Sequence, residues 1–182
     1  MNSTFLIIAA VFALLVAGAL VFLFLKQRKE VKTPEHTPLT SHTGGSAADI
    51  SGTASSRQMQ LQAYERLILL TDRIALPNLV ARVNTPGLSA RDMQSLLTHS
   101  IRQEFEHNIT QQIYVSAEAW GVIRDYKEQN LMIVNQVASF LPEEATGTDL
   151  NRALLDLLVQ NPKASLQNVV SEALSYEAKK LM

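Results

Sequence analysis

An all-α protein is predicted from this 182-residue sequence: an N-terminal transmembrane helix, a flexible linker and a compact bundle of about five helices. Three observations carry that expectation. Residues 5–25 form an apolar run without a single charge, residues 33–56 are dominated by Thr, Ser, Gly and Pro, and from residue 57 onward apolar side chains recur at helical spacing. The implied divisions are 1–25 for the tail and membrane helix, 26–56 for a basic flank and linker, and 57–182 for the bundle.

The first element reads FLIIAAVFALLVAGALVFLFL, with Gly18 as its one residue outside the hydrophobic set. At about 1.5 Å per residue it spans roughly 31 Å, close to the roughly 30 Å of a bilayer's hydrocarbon core. The chain starts Met-Asn-Ser-Thr, without the basic opening or small-residue cleavage site of a secretory signal, so an uncut anchor is expected. Lys26, Arg28, Lys29 and Lys32 follow at once, with Glu30 among them. Positive charge resists translocation, which places the N-terminus outside and the C-terminal domain in the cytoplasm. The lipid bilayer is therefore the first expected partner, and the four basic residues are expected to flank it. Ala9, Ala13 and Ala17, beside Gly18, repeat every four residues and let two such helices approach closely, which makes a homo-oligomer a candidate.

The linker has too few large apolar residues to anchor a fold, and its square-root reach is roughly 25 to 30 Å. His36 and His42 lie in it without acidic neighbours at ligand spacing, so a solvated spacer is expected rather than a metal site. The chain contains no cysteine, which excludes disulfides, CxxC redox pairs and cysteine-ligated zinc. A net charge of −1 excludes the basic surplus of a dedicated nucleic-acid binder. Residues 57–182 carry 12 Lys and Arg against 14 Asp and Glu, so electrostatics alone will not hold the bundle to anionic lipid.

Within the bundle, Leu61, Tyr64, Leu67, Ile68, Thr71 and Ile74 share one face of a first helix that Pro77 ends, and residues 78–83 read as an extended connector or one short strand. Ser89 with Asp92 forms an acidic capping box for a long helix running to about Ile113. Ser116 caps the next helix, whose face holds Trp120, Ile123, Tyr126, Val134, Val137 and Leu141 before Pro142 stops it. Thr148 or Asp149 caps a short helix through Val159. Asn161 and Pro162 open a last one, striped by Leu166, Val169, Val170, Ala173, Leu174 and Leu181.

The long helix is the irregular one. Met93, Leu97, Ile101, Phe105, Ile109 and Ile113 recur every four residues, so the stripe winds about 40° per step around an ideal helix. Ser100, Glu104, His107 and Gln111 fall on a line that begins apolar. Lys127 and Asn130 project into the apolar sector of the following helix. A buried polar network of Glu104, His107, Lys127 and Asn130 is the resulting candidate, with Glu104 and Lys127 as its ion pair, because buried charge demands a partner. Glu104 and His107 also make Glu-x-x-His, the spacing of carboxylate-bridged di-iron bundles. That chemistry needs a second Glu-x-x-His and two further carboxylates on facing helices, and the chain has no second copy, so no metal or other cofactor is expected. Trp120 and Tyr126 are candidate partner-binding aromatics, although their helical spacing with Ile123 favours core packing over that role. No Ser-His-Asp motif is recognisable, and no catalytic residue is assigned.

The segments LQAYERLILLTDRIALPNLVARV (residues 61–83) and QEFEHNITQQIYVSAEAWGVI (residues 103–123) resemble a family of uncharacterised membrane-anchored proteins from Bacteroidetes. That family shares an N-terminal membrane helix, a variable connector, LQAYER-type and EFEHN-type helices and a downstream tryptophan. The similarity covers most of residues 61–141. It implies a bacterial inner-membrane protein of the architecture just described and transfers no activity. The expected function is thus a non-enzymatic, membrane-anchored interaction or scaffold module with an unidentified protein partner. The alternatives are a metal-binding enzyme or sensor at Glu104 and His107, and a subunit of a larger membrane complex.

Overall fold

Residues 47–161 and 165–182, which the computed structural model describes, form six α-helices, one 3-10 helix and no strand. In chain order these are α1 (Ala47–Ile74), α2 (Leu76–Val83), α3 (Ala90–His107), the 3-10 helix (Ile109–Ile113), α4 (Ala117–Ser139), α5 (Gly147–Gln160) and α6 (Gln167–Lys179). The apolar run over 5–25, Lys26, Arg28, Lys29, Lys32 and the two linker histidines lie outside the described residues. No helix among the described residues is long and apolar enough to cross a membrane.

α1 begins well before Arg57, so the stretch from Ala47 to residue 56, expected as linker, is helical. Residues 54–59 are exposed and contribute no packing. Extension is cheap once a helix has nucleated, and the packed turns from Ala63 to Ile74 supply the nucleus. The predicted face is observed: Tyr64, Leu67, Thr71 and Ile74 are buried, with Leu61 and Ile68 partly so. Thr71 satisfies its hydroxyl by donating to Leu67 O.

Residues 76–83 are a helix, not the extended connector expected after Pro77. Proline lacks a backbone N–H, but a helix's first turn has no acceptor for one, so Pro77 starts α2 as readily as it would stop α1. The chain bends at Ala75 and buries Leu76, Leu79 and Val80.

The winding stripe of α3 resolves by termination. Met93, Leu97, Ile101 and Phe105 are buried, whereas Ile109 is 45% and Ile113 70% exposed. The α-helix stops at His107, six residues short of the expected end, where Asn108 turns its amide back to donate to Glu104 O. Continuing to Ile113 would have carried the apolar line off the core. Ser89 caps α3 by accepting from Asp92 N, and Ser116 caps α4 by accepting from Ala119 N, both as expected.

α5 is capped by Thr146 rather than Thr148 or Asp149. Asp149 N donates to Thr146 Oγ1, and Thr146 N donates to Asp149 Oδ2, a reciprocal box. The Thr146 hydroxyl, which donates to Asp149 Oδ2 at 2.6 Å, and then the Thr146 N–H hold the Asp149 carboxyl below its ordinary range. The caps of α3 and α5 are tied to each other: Ala90 N donates to Ala145 O and Gly147 N to Leu88 O, an isolated antiparallel bridge at Ser89 and Thr146. Gly147 is where the two segments touch, since a Cβ there would lie 3.0 Å from Met93 Cβ. α6 starts at Gln167, later than Asn161–Pro162 predicts; Val170 and Leu174 are buried while Val169 is 62% exposed, which removes it from the expected stripe.

α3 packs against both α4 and α5, and α1 lies against α6. One core joins them, with Leu67, Leu97, Ile123, Leu154 and Leu174 among its fully buried side chains.

Candidate interaction site

Glu104 does not meet Lys127. Its carboxylate accepts from Arg73 Nε at 2.8 Å and Nη2 at 2.5 Å, a two-point grip from α1, and Arg82 Nη2 of α2 lies 3.2 Å away. Arginine's planar fork matches a carboxylate in this way. Arg73 holds the Glu104 carboxyl below its ordinary range, against an opposing push from burial. His107 is exposed, and among the described residues no group of three or more His, Asp or Glu side chains is arranged to hold a metal ion. The Glu-x-x-His spacing therefore leads to an ion pair between helices.

The sign of its pH dependence follows. A depressed folded-state pKa contributes stability that is present above the unfolded value, about 4.3, and is lost as pH falls through the folded one. Arg73 is 53% exposed at its side chain, so solvent screening limits the gain to less than about 1 kcal/mol. Glu104→Gln is expected to lower the thermal midpoint slightly at pH 7 and to leave it unchanged near pH 2, which paired melting curves of the two chains check.

Lys127 turns the other way. Its Nζ reaches Glu128 Oε1 at 2.7 Å and sits 4.5 Å above the Phe105 ring, whose other neighbour is Trp120 at 5.0 Å between ring centres. Trp120 is half-buried in this seam between α3 and α4. Tyr126 is only 3% exposed, which removes it as a surface contact. Burial pushes its hydroxyl up to about 12. Asn130, also buried, donates to Ile74 O at the end of α1. Three of the four residues expected as one network thus sit in three separate contacts, and the fourth, His107, is exposed.

A different constellation, invisible to local spacing, joins α1, α4 and α6. Tyr64 Oη donates to Glu177 Oε2 at 2.7 Å, Ser116 Oγ donates to the same oxygen at 2.6 Å, and Ser116 N donates to Tyr64 Oη at 3.3 Å. Burial and the Glu177 carboxylate raise the Tyr64 pKa, so the hydroxyl stays a donor. These groups floor a cleft of about 620 Å³ whose wall includes Ile113, Tyr114, Val115 and Leu181. The Ser116 hydroxyl is committed twice, accepting from Ala119 N and donating to a carboxylate. Glu118 and Lys180 also line the cleft, and no histidine is among its lining residues. Chemically the cleft suits binding: a hydrogen-bonded polar floor under walls that mix Ile113, Tyr114, Val115 and Leu181 with Gln60, Glu118 and Lys180. The only sequence signal for it was the Ser116 cap; Tyr64 and Glu177 lie 113 residues apart.

No curated protein and no solved structure matches the chain. The sequence profile of a family of unknown function, DUF7935, matches residues 2–181, nearly the whole chain. The chain belongs to this family, DUF7935, whose function is unknown.

Proposed function

We propose that this chain is a non-enzymatic interaction module, a single-pass inner-membrane protein whose helical bundle sits on the cytoplasmic side and takes up a protein partner in the cleft over Ser116 and Glu177. The observation that carries the reading is the cleft itself, where Ile113 is 70% and Tyr114 37% exposed above hydrogen bonds that close among themselves. Apolar side chains at such a rim gain by being covered. The membrane part of the reading is supported by the uncharged run over 5–25 and its basic flank. Tethering adds effective concentration, so the cleft need not bind tightly.

A photo-crosslinking residue placed at Ile113 in the full chain, expressed in intact cells, is expected to give one reproducible adduct. Val115→Asp should weaken it about tenfold without moving the chain from the membrane fraction. An Ile113 probe that yields no reproducible adduct, with the bundle folded and the chain in the membrane, overturns the reading.

A further inference from the structure

The charges around the cleft over Ser116 do not balance. Glu118 and Glu177 both line it, against a single cation, Lys180. That lysine, the C-cap of α6, holds its Nζ 4.2 Å from the centre of the Tyr176 ring, and Tyr176 is not part of the lining. Among the described residues neither carboxylate has an ion-pair partner. Glu177 is half-buried, and what holds it is two neutral hydroxyls, those of Tyr64 and Ser116, both donating to Oε2. Oε1 receives no hydrogen bond and keeps its access to solvent.

We propose that the partner enters this cleft with an arginine side chain, seated against Glu177 Oε1 and Glu118 and flanked by apolar residues. The inference rests on the reading of the cleft as a partner site and names the chemistry that fits it. A partner that covers Ile113 and Tyr114 also takes water from the two carboxylates, and an anion stripped of water without a counter-charge is costly. With Lys180 drawn to Tyr176, the occupant has to bring the positive charge. A metal ion or a small ammonium would meet the carboxylates and leave the apolar wall bare, whereas a basic side chain on a peptide serves both. Arginine suits the place better than lysine. Oε2 is already taken by two donors, so the open acceptors are spread over two residues. A guanidinium directs several N–H donors outward in one plane and lies flat on an aromatic ring such as Tyr114. Ile113 and Val115 then take the apolar residues beside it, and those contacts are the ones that Val115→Asp removes. The volume, about 620 Å³, lies within the range of ordinary ligand sites.

The test uses the full chain in an uncharged detergent, with isoleucine methyl groups labelled for NMR. The probes are acetyl-Leu-Arg-Leu-amide and acetyl-Leu-citrulline-Leu-amide, which differ in the charge of the central side chain and hardly in its shape. The arginine peptide is expected to shift the Ile113 methyl resonance saturably, with a Kd about tenfold below that of the citrulline peptide. Glu177→Gln keeps an oxygen for Tyr64 and Ser116 and should remove most of that preference. Glu118→Gln, at an exposed position in the first turn of α4, should reduce it several-fold and serves if glutamine at 177 disturbs the bundle. Equal affinities for the two peptides, no saturable shift with either, or a preference intact in both variants overturns the inference. The photo-adduct at Ile113 separates the two levels: an adduct in cells without an arginine preference discards the arginine and keeps the partner, while a missing adduct discards the partner reading itself.

Discussion

Leu97→Ala is expected to destabilise the bundle by about 3 to 4 kcal/mol, seen as a lower urea midpoint of the full chain in mild detergent with an unchanged slope. Leu97 is fully buried at the middle of α3, the helix that packs against both α4 and α5. Truncating it removes three carbons from apolar surroundings and leaves a cavity that neighbours held from two sides can only partly fill. Ile113→Ala, at the far end of the same four-residue series, is expected to move the midpoint by less than about 0.5 kcal/mol, because that side chain is 70% exposed. A cost at Ile113 comparable to that at Leu97 would mean that the apolar line continues into the core beyond His107.

That pair of residues also marks how far the sequence is legible. Met93 through Phe105 read correctly because local periodicity reports which face a helix buries, and a buried face needs no knowledge of the partner. Where the helix ends depends on what lies opposite, which periodicity does not contain. Ser89 and Ser116 are readable as caps because each cap and the backbone N–H it accepts from are three residues apart. Thr146 and Asp149 have the same three-residue spacing, and the expected caps, Thr148 and Asp149, lie two and three residues past the real one; the reciprocal hydrogen bonds, not the residue type, make the difference. Pro77 was ambiguous between stop and start because both tolerate a missing N–H.

The candidate site was least legible for the same reason. Glu104 was recognised as a charge needing a partner, and the demand was sound, but the partner came from Arg73 and Arg82 on other helices rather than from Lys127. Lys127 instead covers Phe105. Tyr64 was placed on the apolar face correctly, yet its hydroxyl joins Ser116 and Glu177 through a meeting of three helices that only tertiary packing creates.

Leu15→Arg together with Val16→Arg is expected to move the chain from the membrane pellet to the supernatant after alkaline carbonate extraction. Both positions lie at the middle of the 5–25 run, where, in the proposed anchor, a charge would be farthest from either headgroup layer. Each arginine costs about 2.5 to 3.5 kcal/mol at the centre of a membrane helix, so the pair costs roughly 5 to 7 kcal/mol. The thirteen Leu, Ile, Val and Phe residues that remain contribute about 0.3 to 0.6 kcal/mol each, roughly 4 to 8 kcal/mol in all, which the two arginines offset. Snorkelling, which rescues charges near helix ends, does not reach from the middle without deforming the bilayer. Orientation rests on different atoms. Replacing Lys26, Arg28, Lys29 and Lys32 with glutamine should leave the chain in the pellet, because the apolar run is intact, while exposing a fraction of the bundles to protease added outside sealed spheroplasts. If the double arginine variant stays in the pellet, some other part of the chain holds it there and the run is not the anchor. If the parent chain's bundle is digested from outside, the basic flank does not set sidedness, and a cytoplasmic partner is the wrong one to seek.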